Sequence, residues 1–420
     1  MVVQWKPRKG AFAKDFCLQK PPLHFPMAKK ISVGIDIGTY QVKVMVAENA
    51  EPSDRTIPKI VGTGFAESRG LRHGYIINQA DVTRAIGQAI RQAEKTSGTR
   101  IKNAYLSVGG IGLSSITSTG TTAVSRADSE ISELDVEKSL EASRAAIPQS
   151  FSINRRIIHT IPVQYRIDGK VVLGSKAVGM KANKLEAKVL FVTALENHLH
   201  DLIQAVEDAG VEVSQVIAAP LAASLVTLSK SQKIVGSVLA NIGAETVSIV
   251  VFENNVPISL ETFPIGSNDI TNDIALGLKI PLEEAERIKL GAITGATYPK
   301  KKLDDIIEAR LSDILELIEA HLKKIGRSGL LPAGIILTGG GSGISILEEL
   351  AKSSLSLPSR VASMNWSGGM REPIKDASWS VVYGLCRIGL SQEDEESTLG
   401  VGIAKKARGT IRNLIRQLLP

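Results

Sequence analysis

Residues 31–46, ISVGIDIGTYQVKVMV, place Asp36, Gly38 and Thr39 in a short turn between two β-branched runs. The pattern predicts a β-hairpin. A turn of this composition suits a phosphate, since Gly38 lets backbone N–H groups approach oxygens, Thr39 donates a hydroxyl and Asp36 can hold a hydrated Mg²⁺. Tyr40 follows in the turn, and Lys43 on the return strand can reach back as a point charge. The same residues also make an ordinary structural turn, because Asp and Gly are common turn formers. Taken alone, the stretch leaves both readings open.

Two further glycine signals bear on the choice. SVLANIGAETVSIVVFENN (237–255) repeats the pattern as an apolar strand, a turn carrying Asn241, Gly243 and Thr246, and a β-branched return strand. Later, the pure strand Gly334–Thr338 runs into Gly339, Gly340, Gly341, Ser342 and Gly343 before a helix over 344–351. Glycines between a buried strand and a helix N-terminus let a ligand lie against backbone. Two like hairpins in one chain predict a duplicated domain with phosphate held between the copies.

Size and charge narrow the class. At 420 residues the chain has room for roughly two to four domain-sized units. Residues 1–30 carry seven basic side chains and one acidic, and residues 404–420 carry five basic and none acidic. With a formal total of +7, the 373 residues between them are mildly acidic, at −4. A nucleic-acid-binding fold carries its basic stripe on the body, so nucleic acid is not the expected partner. Cys17 and Cys386 have no CxxC spacing, which predicts a reducing compartment and no cysteine metal site. No apolar run is long enough for a membrane span.

Along the chain, residues 1–26 read as a disordered leader or as an over-extended start ahead of Met27. Residues 80–95 have helical apolar spacing, with Asp81 as the expected cap. From 101 a strand, a second strand, a helix over Ser132–Ile147 and the strands RRIIHTIPVQYRI and KVVLGSKAVGM form an expected inserted subdomain, its last two strands joined at Asp168-Gly169-Lys170. His159 reads as a packed, hydrogen-bonded side chain within it. LEAKVLFVTAL is expected to rejoin a parallel or mixed α/β sheet, and 266–325 is mostly helical, with Glu283, Glu284, Glu286, Arg287 and Lys289 on a solvated face. Ser391–Ala404 reads as a solvated linker. The terminal GTIRNLIRQLLP then spaces Ile411, Leu414, Ile415, Leu418 and Leu419 on one helical stripe beside Arg408, Arg412 and Arg416, which predicts an interfacial helix on an anionic membrane surface.

The three glycine signals, in this order, resemble the actin, Hsp70 and sugar-kinase superfamily. Within it the chain is similar to the FtsA family of bacterial division proteins, through LRHGYIINQADVTRAI (71–86), HTIPVQYRIDG (159–169), VGMKANKLEA (178–187), FPIGSNDITNDIALGL (263–278), EEAERIKLGA (283–292) and LPAGIILTGGGSG (331–343). The resemblance implies an α/β, actin-like duplicated nucleotide-binding fold with an FtsA-type inserted subdomain. It divides the chain into subdomain 1A (27–100 and 184–235, joined by 375–391), 1C (101–183), 2A (236–265 and 329–374) and 2B (266–328). A linker (392–407) and an amphipathic membrane-targeting helix (408–420) complete this division.

The resemblance also implies ATP and Mg²⁺ as cofactors. Asp36, Gly38, Thr39, Tyr40 and Lys43 would serve phosphates and metal, with Asp36 holding Mg²⁺ through water. Asn241, Gly243 and Thr246 would form the second phosphate turn. Gly266, Glu286 and Lys289 would meet ribose and base, and Gly339, Gly340, Gly341 and Ser342 would pass beneath the adenosine. Implied partners are the FtsZ C-terminal tail, further copies of the chain in protofilaments, other division proteins and the cytoplasmic face of the cell membrane at the division site. Where the family's second turn usually begins with Asp this chain has Asn241, which cannot act as an anion toward Mg²⁺ or an attacking water, and Glu245 adds negative charge nearby. ATP binding with little or no hydrolysis is therefore expected. The alternatives are a PilM-like pilus-assembly adaptor and a sugar-kinase-type phosphotransferase.

Overall fold

The computed structural model describes residues 30–49, 58–172, 177–291, 298–363 and 376–398, the last seven by their backbone alone. The chain opens with β1 (Ile31–Ile37), β2 (Gln41–Glu48), β3 (Lys59–Glu67), a ribbon of β4 (Leu71–Arg72) and β5 (Tyr75–Ile76), α1 (Gln79–Ser97) and β6 (Asn103–Val108). It continues through β7 (Ser114–Ala123), α2 (Glu133–Ala145), α3 (Gln149–Ser152), β8 (Arg155–Ile167), β9 (Lys170–Val171), β10 (Lys184–Leu195), α4 (Glu196–Asp208), β11 (Glu212–Ala218), α5 (Ala219–Thr227) and α6 (Lys230–Val235). The second half comprises β12 (Ser237–Ile242), β13 (Val247–Glu253), β14 (Val256–Phe263), α7 (Ser267–Leu278), α8 (Leu282–Lys289), α9 (Lys300–Lys324), β15 (Ile335–Thr338), α10 (Leu347–Leu355), β16 (Ser359–Val361) and α11 (Ser380–Thr398).

Two five-stranded sheets share one plan. The first has the order β3-β2-β1-β6-β11 and the second β14-β13-β12-β15-β16. In each, the three strands of a meander pair antiparallel and the remaining two add in parallel. The duplication expected from the paired hairpins is thus present in the topology. Central strands β2, β12 and β13 are buried along most of their length, as strands covered on both faces must be, which explains their near-continuous Val and Ile. A single apolar cluster runs from Val33, Ile35 and Leu106 in the first sheet to Leu239, Phe252, Leu260 and Ile336 in the second.

Several local expectations change. Helix α1 is capped by Asn78, whose side chain accepts from the Asp81 N–H; Asp81 lies inside the first turn and binds the cap amide in return. β6 pairs with β1 and β11, so it belongs to the first large sheet and not to the insert. β10 moves the other way, pairing antiparallel with both β7 and β8 in the order β7-β10-β8-β9. Its long two-sided partnership outweighs the simple alternation that placed it in the main sheet. Among its described residues, KVVLGSKAVGM contributes the two-residue strand β9, which pairs with β8 at the edge of the insert's sheet. Backbone of α11 continues through Thr398, over the first residues of the expected linker, where Gln and Glu are good helix formers and Pro is absent. The expected leader and terminal amphipathic helix lie outside the described residues.

His159 lies on β8, where its Nε2 accepts the Ala218 N–H at 3.0 Å and ties the insert to the end of β11. An acceptor nitrogen requires neutral imidazole, and burial pushes the His159 pKa down to about 3. The expected packed histidine is what the structure contains.

Candidate nucleotide-binding site

The two hairpin turns close with the same backbone bond. Gly38 N–H donates to Gln41 O at 3.1 Å, and Gly243 N–H donates to Thr246 O at 2.8 Å. Each glycine therefore occupies an equivalent place between the first two strands of its sheet. Asp36 stands just before the first turn, on β1 and not in the turn as its sequence suggested, because it pairs across the hairpin with Lys43; its carboxylate accepts the Ser107 hydroxyl at 2.6 Å. Burial raises the Asp36 pKa, while Ser107 and Lys43 oppose the rise. Thr39 is partly buried beside it, and the Tyr40 side chain stands 60% exposed at the tip.

Lys43 does not extend freely toward the turn. Its ammonium donates to Ser378 O at 2.9 Å and Ser378 Oγ at 2.7 Å and lies over the Trp379 ring. Burial lowers its pKa, and Asp36 and Asp376 partly restore it. The residue 376–380 turn also reaches the second half, because Thr338 Oγ1 contacts Ala377 O and Ser380 Oγ at 3.0 Å each. One short segment thus binds the return strand of the first hairpin and the strand that leads into the glycine run. Ser107, Thr338, Asp376 and Ser378 had no sequence signal, since isolated hydroxyls on strands and turns are too common to single out.

The second turn is built against the glycine run and α7. Ser267 and Asn268 N–H groups donate to Gly243 O and Ala244 O at 2.9 and 2.8 Å, so the first amides of α7 are satisfied by the hairpin turn. Gly266 makes this approach possible, since a Cβ there would lie 2.4 Å from Ala244 O. At Gly339, φ is 89° and a Cβ would lie 2.4 Å from Asn241 Oδ1. The run Gly340–Gly343 forms a 3₁₀ turn, fastened by Ser342 Oγ to Gly339 O at 2.7 Å. Gly341 packs on Ile242, whereas a Cβ on Gly340 would meet nothing within 4 Å. The run therefore has a packed side made by Gly339 and Gly341 and an open side at Gly340.

On α8, Lys289 corrects the expected solvated face. Its side chain is only 5% exposed and its ammonium reaches Glu286 at 2.7 Å, Thr271 Oγ1 at 2.8 Å and Ser267 O at 3.1 Å. Thr271 also donates to Glu286. Packing of α8 against α7 buries this face of the helix, which charge counting alone does not reveal. Asn241, Gly243, Thr246, Gly266, Glu286, Lys289 and Gly339–Ser342 are accordingly brought to one region at the carboxyl ends of β12 and β15. Residues Asp36–Lys43 are connected to it through the 376–380 turn. The described residues contain no group of three or more His, Cys, Asp or Glu set to hold a metal. Asp36, with one oxygen on Ser107, fits the single carboxylate that Mg²⁺ needs beside phosphate oxygens.

Comparison with known proteins follows the same lines. Residues 238–384 match the family model "Cell division protein FtsA", and residues 110–193 match the model of the "SHS2 domain inserted in FTSA". Cell division protein FtsA of Pseudomonas aeruginosa is 30% identical over 394 residues, covering 89% of this chain and 92% of the relative. The Bacillus subtilis FtsA is 32% identical over 381 residues, covering 85% of this chain and 84% of the relative. The chain belongs to the FtsA family of cell division proteins. Its fold is actin-like with the SHS2 insertion. Among solved structures, the PilM-PilN type IV pilus biogenesis complex superposes with a TM-score of 0.64 at 17% identity, over 86% of this chain and 98% of that one. The ethanolamine utilization protein EutJ of Carboxydothermus hydrogenoformans gives 0.51 at 14%, over 87% and 91%. These two likenesses concern the fold alone, so the PilM resemblance does not carry over pilus assembly.

Proposed function

We propose that this FtsA-family chain binds ATP between its two halves, self-associates into protofilaments and tethers FtsZ filaments to the cytoplasmic face of the cell membrane at the division site. The observation that carries the nucleotide part is the meeting of the second hairpin turn, the start of α7 and the glycine run at one end of a sheet whose counterpart carries Asp36 on an equivalent turn. Gly38 and Gly243 present backbone to phosphates, Asp36 holds hydrated Mg²⁺, and the open side at Gly340 receives the nucleoside. Glu286 and Lys289, locked by Thr271, line the ribose side. ATP bound there supplies a charged group that both halves contact, and Asn241 provides no anion to orient an attacking water.

Membrane attachment rests on the 408–420 sequence pattern. Among the described residues no helix is long and apolar enough to cross a bilayer. A surface-lying amphipathic segment binds weakly as a single copy and firmly when a polymer displays many. The FtsZ tail and other division proteins are assigned as partners on family membership. The test is co-sedimentation of FtsZ with liposomes containing anionic lipid, in the presence of this protein and MgATP. FtsZ should pellet with the full chain and stay in solution with a chain ending at 407. Equal pelleting with the truncated chain would sink the tether.

A further inference from the structure

The second hairpin turn is gripped by the opposite half as well as by its own. His73, in the bend between β4 and β5, donates its backbone N–H to the Glu245 carboxylate, and its Nδ1 lies 3.2 Å from the Glu245 carbonyl oxygen. That oxygen only accepts, so Nδ1 is the donor in this contact. The bend is itself fixed: His73 has φ 48°, its carbonyl accepts the Ile111 N–H at 3.2 Å, and a Cβ on Gly74 would lie 2.5 Å from Gly110 Cα. Glu245 therefore does not stand as a loose charge beside the phosphate turn. Its carboxylate is occupied by a donor from the first half.

A second fastening lies on the insert. Ser115 Oγ donates to Leu260 O and accepts the Leu260 N–H, both at 2.8 Å, so one hydroxyl on β7 satisfies both backbone groups of a residue on β14. This uses the edge of the second sheet that would otherwise be left unpaired.

We infer that Glu245 and Ser115 are positioning residues that hold the two halves in a fixed relation, so that nucleotide enters a preset cleft and does not drive its closure. The nucleotide clause rests on the function proposed above; the fixed relation does not. Replacing a hydrogen bond to a charged group shifts such an equilibrium by about tenfold to a hundredfold, so removing both fastenings should make an open population visible.

The test is a distance measurement between spin labels at Lys95→Cys on α1 and Glu308→Cys on α9, in the full chain carrying Cys17→Ser. Both label sites are exposed. Burial pushes the Cys386 thiol up to about 12, which keeps it unlabelled. The parent should give one narrow distance distribution that MgATP leaves unchanged. Glu245→Ala with Ser115→Ala should broaden it, and MgATP should narrow it again. Glu245→Gln with Ser115→Thr keeps both hydrogen-bonding groups and should match the parent. A parent distribution that is broad until MgATP is added would overturn the inference, as would a double-alanine variant as narrow as the parent. Fluorescent-ATP binding measured on the same samples separates the two claims: no binding to the parent defeats the nucleotide reading, while the ligand-free distances still judge the fastening.

Discussion

Adding one methyl group at Gly340 and, separately, at Gly339 distinguishes a loop that cradles a ligand from a loop that only packs. At Gly339 the backbone, at φ 89° and ψ 171°, occupies a region essentially reserved for glycine, at a cost of about 1–3 kcal/mol for any other residue. The new Cβ would also lie 2.4 Å from Asn241 Oδ1 and 2.5 Å from Ile242 O. Such overpacking adds about 1–3 kcal/mol. Gly339→Ala should therefore destabilise the protein by roughly 2–6 kcal/mol, a fall in Tm of several degrees or more. Gly340→Ala meets no atom within 4 Å and carries no such backbone demand. Its effect on stability should stay within about 1 kcal/mol and tend to stabilise, through the unfolded chain. In the cleft, however, that methyl takes the space where a nucleoside would lie against backbone. ATP affinity should fall by about tenfold to a hundredfold, the equivalent of roughly 1.4–2.7 kcal/mol. Thermal melting gives the first quantity and isothermal titration calorimetry with MgATP the second. A Gly340→Ala protein that melts like the parent and binds ATP with parental affinity would refute the cradle.

Further outcomes follow from individual contacts. His159 stays neutral in the folded protein with a pKa near 3, against 6.5 as the ordinary value. Below pH 6.5 the unfolded chain takes up a proton that the folded chain refuses, so stability is complete above that pH and declines below it. One such group contributes a slope of at most about 1.4 kcal/mol per pH unit, and His159→Gln, which keeps an acceptor for Ala218 N–H, should flatten urea-derived stability between pH 6 and 5. Lys289→Ala leaves Glu286 and Thr271 without their ammonium partner and should cost about 1–2 kcal/mol after allowing for the partial exposure of Glu286; an unchanged urea midpoint would contradict this. Asn241→Asp places an anion at the end of β12, beside the second turn, and should raise phosphate release on the order of tenfold, measured by a coupled phosphate assay, whereas no increase would show that Asn241 is not what limits hydrolysis.

The duplicated hairpin was legible because both copies keep the same elements: two β-branched runs around a turn with glycine and threonine. The sheet order that follows from it, a meander extended by parallel strands, is repeated in both halves. Membership of β6 and β10 was not legible. Each is an apolar strand that suits either neighbouring sheet, and only the pairing of β10 with β7 and β8 decides its place. At the site, the glycine run was legible because close approach of backbone leaves a compositional trace, as at Gly339, whereas Gly266, a lone glycine, entered only through the family resemblance. Long-range hydroxyl contacts leave none. Lys43 was identified as a cation near Asp36, but its bonds to Ser378 span 335 residues of chain and cannot be read from local pattern. Glu245 was legible as an added charge and not as a tie to His73, for the same reason.

A cleft built to hold ATP should bind the nucleotide and keep it intact. Purified protein incubated with Mg²⁺ and ATP labelled on both the adenine and the γ-phosphate should retain both labels together, near one per chain, on rapid filtration, while free phosphate accumulates far more slowly than nucleotide exchanges. Absence of retained nucleotide, or release of phosphate as fast as nucleotide exchanges, would contradict it.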